Sequence, residues 1–101
     1  MTEKILPIPC TKVEEKTVKD WFQKINEELD EFKDTVMGCR WLPDEVKALN
    51  LYIDEKNKIV EEAADTITAI TSMLEAMGIG EDMRQEAQIK VNAKNKARGR
   101  F

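Results

Sequence analysis

The chain has 101 residues, enough for one domain, and although 36% of them are charged the formal net charge is only −4. This balance excludes the basic surface typical of nucleic-acid binding, and no run of about 18 apolar residues is available to span a membrane. Cys10 and Cys39 are accompanied by no secretion signal, so we expect free thiols and a cytoplasmic protein.

The first half of the chain predicts a lead-in followed by a long helix. Residues 1–10 contain two prolines and predict an extended segment. Thr11 and Glu14 predict a capping box that opens the first helix. That helix is expected to end near Gly38, because its apolar residues recur with helical spacing. These residues are Val18, Trp21, Phe22, Ile25, Leu29, Phe32 and Val36.

The second half predicts further helices. The sequence PDE at 43–45 is typical of a helix start, and apolar residues then recur every three or four positions as far as Met77. A single helix of that length would be unusual, so we expect a break or bend within 54–58 that separates a short helix from a long one. The sequence GIG at 78–80 predicts a glycine stop. A last helix should begin near Glu81, with Met83, Ala87 and Val91 on one face. The expected fold is all-α, one domain over residues 1–101 with four to five helices.

Two pairs of acidic residues are candidates for a metal site. Glu62 and Asp65 lie among small, uncharged residues that another helix could approach, and Glu28 and Glu31 form a matching pair on the first helix. Four facing carboxylates repel one another, and divalent cations compensate that repulsion. The chain has no histidine, so oxygen ligands and Mg²⁺, with Mn²⁺ as a second possibility, are expected. Solvated acids on exposed helix faces remain the competing interpretation.

The last helix becomes basic at its C-terminal end. Lys94, Asn95 and Arg98 continue the apolar face of that helix. They either complement the helix dipole or bind the outer phosphates of a triphosphate whose metal ions contact the acids.

Together these motifs resemble the MazG-like all-α nucleoside triphosphate pyrophosphohydrolases. The resemblance covers residues 13–101 and depends on EELDE at 27–31, EAAD at 62–65 and VNAKNKARGRF at 91–101. It implies conversion of a (d)NTP to (d)NMP and pyrophosphate, two or more Mg²⁺ ions and a homodimer or homotetramer. The connection between the two acid motifs is long for this group.

The resemblance also suggests a role for each candidate residue. Glu28, Glu31, Glu62 and Asp65 would bind Mg²⁺, and Glu31 is our choice for the catalytic base. Lys94 and Arg98 would bind phosphate, Asn95 would bind sugar or phosphate, and Trp21 would either stack on the base or belong to the core.

Two alternative functions stay open. A phosphoribosyl-ATP pyrophosphohydrolase shares the chemistry and the helical fold. A non-enzymatic dimeric helical bundle, acting as an adaptor, would carry its acids only for solubility. A partner chain is expected in either case, because the helices of one chain cannot cover residues 60–74 on most sides.

Overall fold

The computed structural model describes residues 7–39 and 53–100. A short 3-10 helix, Val13–Glu15, precedes α1 (Val18–Cys39), α2 (Ile53–Ala76) and α3 (Glu81–Ala97). No strand occurs in these ranges, which confirms the all-α class, but the helices number three rather than four to five. None of the described helices has the length and hydrophobicity that crossing a membrane requires. The predicted helix start at 43–45 lies outside the described residues.

The N-terminus of α1 is set by a capping box different from the predicted one. The Thr17 backbone N–H donates to Asp20 Oδ2, and the Asp20 backbone N–H donates to Thr17 Oγ1, both at 3.1 Å. The prediction of a box at Thr11 and Glu14 was wrong. Lys12 adopts a left-handed conformation with φ of 56°, so the chain forms the 3-10 helix there and α1 begins only after it.

The predicted break in the second half was also wrong, because residues 54–58 are helical and belong to α2. This segment contains no glycine or proline, and Asp54 and Glu55 lie in the first turn, where acidic side chains favour the helix dipole. The predicted glycine stop is confirmed. Gly78 has φ of 80°, its N–H donates to the Glu75 carbonyl, and the Ile79 N–H donates to the Leu74 carbonyl.

The core lies between α1, α2 and the segment before α1. Val13, Trp21 and Met73 form its buried cluster, flanked by Ile25 and Ala76. Trp21 is 3% exposed, and its indole N–H donates to the Val13 carbonyl at 3.2 Å. Burying this ring and satisfying its polar atom ties the 3-10 helix to α1.

Small residues, rather than the most hydrophobic ones, form the face of α2 that is buried. Ala69 and Ser72 are buried on it, next to Met73. Large apolar side chains on other sides of α2, and on the residue directly after it, are exposed, and we call this set the apolar stripe: Val60, Ile67, Ile70 and Met77. The hydrophobic pattern of α2 is therefore covered only in part by the described residues of one chain.

Ser72 generates a prediction about the lead-in segment. Its side chain is fully buried, its Oγ accepts the Cys10 backbone N–H at 2.9 Å and it donates to the Thr68 carbonyl at 2.7 Å. Ser72→Ala should lower the free energy of unfolding by about 1 kcal/mol, because the Cys10 N–H loses its acceptor. Urea denaturation measures this loss, and amide hydrogen exchange at Cys10 should accelerate.

The matched control is Thr35→Ala. The Thr35 hydroxyl makes the same kind of local bond, to the Glu31 carbonyl at 2.9 Å, on an exposed surface. This variant should leave exchange at Cys10 unchanged. Equal exchange at Cys10 in the wild type and Ser72→Ala would contradict the role given to Ser72.

Candidate active site

Packing of α1 against α2 brings three carboxylates together. One oxygen each of Glu28 on α1 and of Glu62 and Asp65 on α2 lies within 4.8 Å of the other two. We call these three residues the carboxylate cluster. Glu28 is buried, Glu62 is half-buried and Asp65 is exposed, so the cluster is open to solvent on the side of Asp65.

One carboxylate oxygen of Glu28 has a charged partner, and the other has no partner among the described residues. Lys24 Nζ lies 2.7 Å from Glu28 Oε1, one helical turn away. The hydrogen bond to Glu28, together with the nearby charges of Glu28, Glu27 and Glu31, raises the pKa of Lys24. Glu28 Oε2 is buried and has no hydrogen-bond donor among the described residues. A buried carboxylate oxygen without a donor is unfavourable unless a cation or another donor binds it.

Glu62 experiences the repulsion within the cluster most clearly. Desolvation raises its pKa, and the charges of Glu31, Asp65, Glu28 and Glu61 raise it further. Its Oε2 is also buried without a partner among the described residues. Glu31 therefore acts on Glu62 electrostatically, although it does not belong to the carboxylate cluster and its side chain is exposed.

A comparison with protein families matches this chain to the model for phosphoribosyl-ATP pyrophosphohydrolase over residues 1–90. The chain belongs to the phosphoribosyl-ATP pyrophosphohydrolase family. No curated protein and no solved structure matches it significantly.

Family membership confirms the enzyme class and corrects the finer assignment. The chain is a nucleotide pyrophosphohydrolase, a hydrolase acting on acid anhydrides, and not the non-enzymatic adaptor considered above. Its specific family is not MazG, although both are all-α nucleotide pyrophosphohydrolases. A nucleotide substrate follows from this membership. The match ends at residue 90, before the basic end of α3.

The donor set of this pyrophosphohydrolase fits a divalent cation. All of its candidate ligand atoms are carboxylate oxygens, which hard cations prefer, and Glu28 and Glu62 each have a buried oxygen without a partner among the described residues. A bound cation would offset both the desolvation of Glu62 and the repulsion from its acidic neighbours, which together raise its pKa. Glu28, Glu62 and Asp65 are thus the residues suited to hold the ion.

The remaining predicted site residues lie elsewhere in the described ranges. Lys94 and Arg98 are exposed and Asn95 is half-buried near the C-terminus of α3, where Asn95 Oδ1 accepts a hydrogen bond from Arg100 Nη1 at 3.2 Å. In the described ranges α3 does not pack along α1, the helix that carries Glu28. Their contact with substrate stays a prediction.

Trp21 is placed in the core. Lys16 Nζ lies 5.5 Å from the centre of its ring, a cation–π contact that further covers the indole. This environment gives Trp21 a packing role, and stacking on a base stays a prediction.

Two further residues were not assigned a role by the sequence, one in contact with the cluster and one two turns away on α2. Lys24 lies four residues before Glu28, a spacing that indicates a contact on one helix face. Glu55 lies seven residues, or two turns, before Glu62 on the same face of α2, and its Oε2 is likewise buried without a partner among the described residues. The seven-residue spacing was the available signal.

The raised pKa of Glu62 predicts how pH affects stability without metal. Its folded-state pKa lies above the ordinary 4.5, so the folded protein retains a proton that the unfolded chain releases, and stability falls as pH rises through this interval. In EDTA, Glu62→Gln should therefore melt a few degrees higher than the wild type at neutral pH. This difference should shrink toward pH 4.5. Thermal unfolding followed by circular dichroism measures it.

Glu86→Gln is the control, since it removes the same charge from an exposed position on α3. It should follow the wild-type profile closely. A melting temperature of Glu62→Gln at or below that of the wild type in EDTA at neutral pH would contradict the repulsion described here.

Proposed function

We propose that this pyrophosphohydrolase cleaves the bond between the α and β phosphates of a nucleoside triphosphate, giving the monophosphate and pyrophosphate with the help of Mg²⁺. The observation that carries the proposal is the pair of buried carboxylate oxygens, on Glu28 and Glu62, that lack a partner among the described residues of a chain of this family. Without a cation these oxygens would only destabilise the fold. Mn²⁺ is the second ion that the ligands suit.

The carboxylates are assigned different roles. Glu28, Glu62 and Asp65 hold Mg²⁺, and Glu31 completes the ligand set from the next turn of α1. Bound Mg²⁺ supplies charge neutralisation and Lewis acidity at the phosphates. Glu31 is exposed, so it can accept the proton of the attacking water while the bond from α-phosphorus to the bridging oxygen breaks and pyrophosphate leaves.

Two substrates carry the triphosphate that this chemistry requires. The resemblance in the acid motifs favours a (d)NTP, whereas the matched family is named for phosphoribosyl-ATP, which makes that compound the second candidate. For either substrate, Lys94 and Arg98 are the proposed phosphate contacts and Asn95 a contact to sugar or phosphate. If Trp21 stacks on the base, Lys16 must first move away from the ring.

The test is a panel of the four dNTPs, the four NTPs and phosphoribosyl-ATP, with Mg²⁺ and product identification by mass. We expect pyrophosphate and the matching monophosphate from at least one substrate. Asp65→Asn should lower kcat/KM by at least about 100-fold, because loss of a ligand should exceed the 10- to 100-fold effect of changing a ligand's outer partner. Glu61→Gln, adjacent to the cluster, should retain activity.

Two results would contradict this proposal. One is undiminished turnover in both Glu62→Gln and Asp65→Asn. The other is release of orthophosphate instead of pyrophosphate, which would place cleavage at the outer anhydride bond.

We also propose that a second copy of the chain covers the apolar stripe. The stripe lies beside a groove of about 580 Å³ between α2 and α3, whose apolar lining includes Leu74, Met83 and Val91. Exposed apolar side chains on this scale are typical of a protein interface, and each one buried adds about 1.5–3 kcal/mol. A dimer or tetramer of identical chains is the proposed assembly.

Ile70→Glu tests this assembly. Ile70 is 43% exposed, so the substitution should leave the fold intact while placing a charge in the interface. Analytical ultracentrifugation should give at least twice the chain mass of 11.6 kDa for the wild type and the single-chain mass for the variant.

Val18→Glu is the matched control, an equal change at an exposed position in the first turn of α1. It should sediment as the wild type does. A wild type of 11.6 kDa at micromolar concentration, or an unaltered assembly of Ile70→Glu, would contradict the second copy.

A further inference from the structure

The contact between Lys24 and Glu28 places a positive charge directly on the proposed metal site. Lys24 Nζ lies 2.7 Å from Glu28 Oε1 in a pair four residues apart on α1. The two side chains differ in accessibility, since that of Lys24 is 45% exposed and that of Glu28 is 11% exposed. The ammonium group therefore reaches into the cluster from the solvent side.

An ammonium group and a divalent cation compete for the same carboxylate. Both are attracted by Glu28, and they repel each other when they share it. The lysine side chain is flexible and begins one turn away, so its ammonium can leave Oε1 without any change in α1. The buried carboxylate of Glu28 cannot move out of the cluster as easily.

We propose that Lys24 is the internal counter-ion of the carboxylate cluster, which releases Glu28 when Mg²⁺ binds and then pairs with a phosphate of the substrate. This inference rests on the proposed function. It gives Lys24 two partners in turn, a carboxylate in the metal-free protein and an anionic oxygen of the triphosphate in the loaded one. Lysine suits this exchange because it binds phosphate as a mobile point charge.

A different role for the same contact predicts the opposite effect on metal affinity. If Lys24 stayed on Oε1, it would orient Glu28 so that Oε2 faces the ion, as the outer partners of metal ligands commonly do. Removing it would then weaken Mg²⁺ binding. If Lys24 instead competes with the ion, removing it strengthens Mg²⁺ binding. The direction of the change in Mg²⁺ affinity therefore distinguishes the two roles.

The experiment titrates MgCl₂ into the wild type, Lys24→Met and Lys19→Met without nucleotide, using calorimetry and thermal unfolding. Lys24→Met should bind Mg²⁺ about three- to tenfold more tightly, melt lower in EDTA and gain more from saturating Mg²⁺ than the wild type does. Lys19→Met is the matched control, since nine residues at 100° each place Lys19 on the opposite side of α1 from Glu28. It should behave as the wild type.

Steady-state kinetics at saturating Mg²⁺ test whether Lys24 contacts a phosphate of the substrate. Lys24→Met should raise KM several-fold, and Lys24→Arg should restore much of the loss because it keeps the charge. Lys24→Gln, a smaller polar replacement, repeats both measurements if the methionine variant folds poorly.

Each outcome decides the inference. Weaker or unchanged Mg²⁺ binding in Lys24→Met and Lys24→Gln would overturn the counter-ion role, and an unchanged KM would overturn the phosphate contact. A wild type that binds neither Mg²⁺ nor Mn²⁺ would instead contradict the proposed function, which keeps the two failures distinct.

Discussion

Close approach of α1 and α2 is the constraint on which the rest of the structure depends. Ala69 and Ser72 are small enough to let the helices meet, and the same approach buries Trp21 between α1 and the preceding segment. It also brings Glu28 beside Glu62, where their charges oppose folding. Burial of the core therefore stabilises the close packing of α1 and α2, whereas repulsion between the carboxylates of Glu28 and Glu62 destabilises it.

Because Glu28 and Glu62 lower the stability of the fold, we infer that they are retained for catalysis. A glutamine at Glu62 would relieve the repulsion, and an apolar residue at Glu28 would bury no unpartnered oxygen. Residues that lower stability and still lie on the best-packed face of a fold are expected at functional sites. Membership in a pyrophosphohydrolase family indicates which reaction such a site would catalyse.

The sequence predicted features that depend on local residue spacing. It did not decide between two possible helix starts or between competing faces of one helix. The glycine stop at Gly78 and the candidate acids depend on spacing alone, and the structure shows the stop and brings Glu28, Glu62 and Asp65 together, while Glu31 lies outside this cluster. The start of α1 was misjudged because Thr11 and Thr17 both begin plausible capping boxes, and the conformation of Lys12 decides between them. The small residues around Glu62 and Asp65 indicated that another helix could approach this face of α2, but the hydrophobic pattern did not indicate that Ile67 and Ile70 would be exposed in one chain.

The arrangement of faces on α2 links assembly to catalysis. Thr71, which lines the groove toward α3, lies nine residues after Glu62 and so on the opposite side of the helix. The carboxylate cluster and the groove lined by α3 therefore lie on different sides of α2 within one chain. We therefore favour a second copy as the source of the Lys94 and Arg98 that we propose to contact a triphosphate bound to the acids. The exposed apolar stripe is the surface through which such a copy could dock, so the proposed assembly and the proposed phosphate contacts depend on each other.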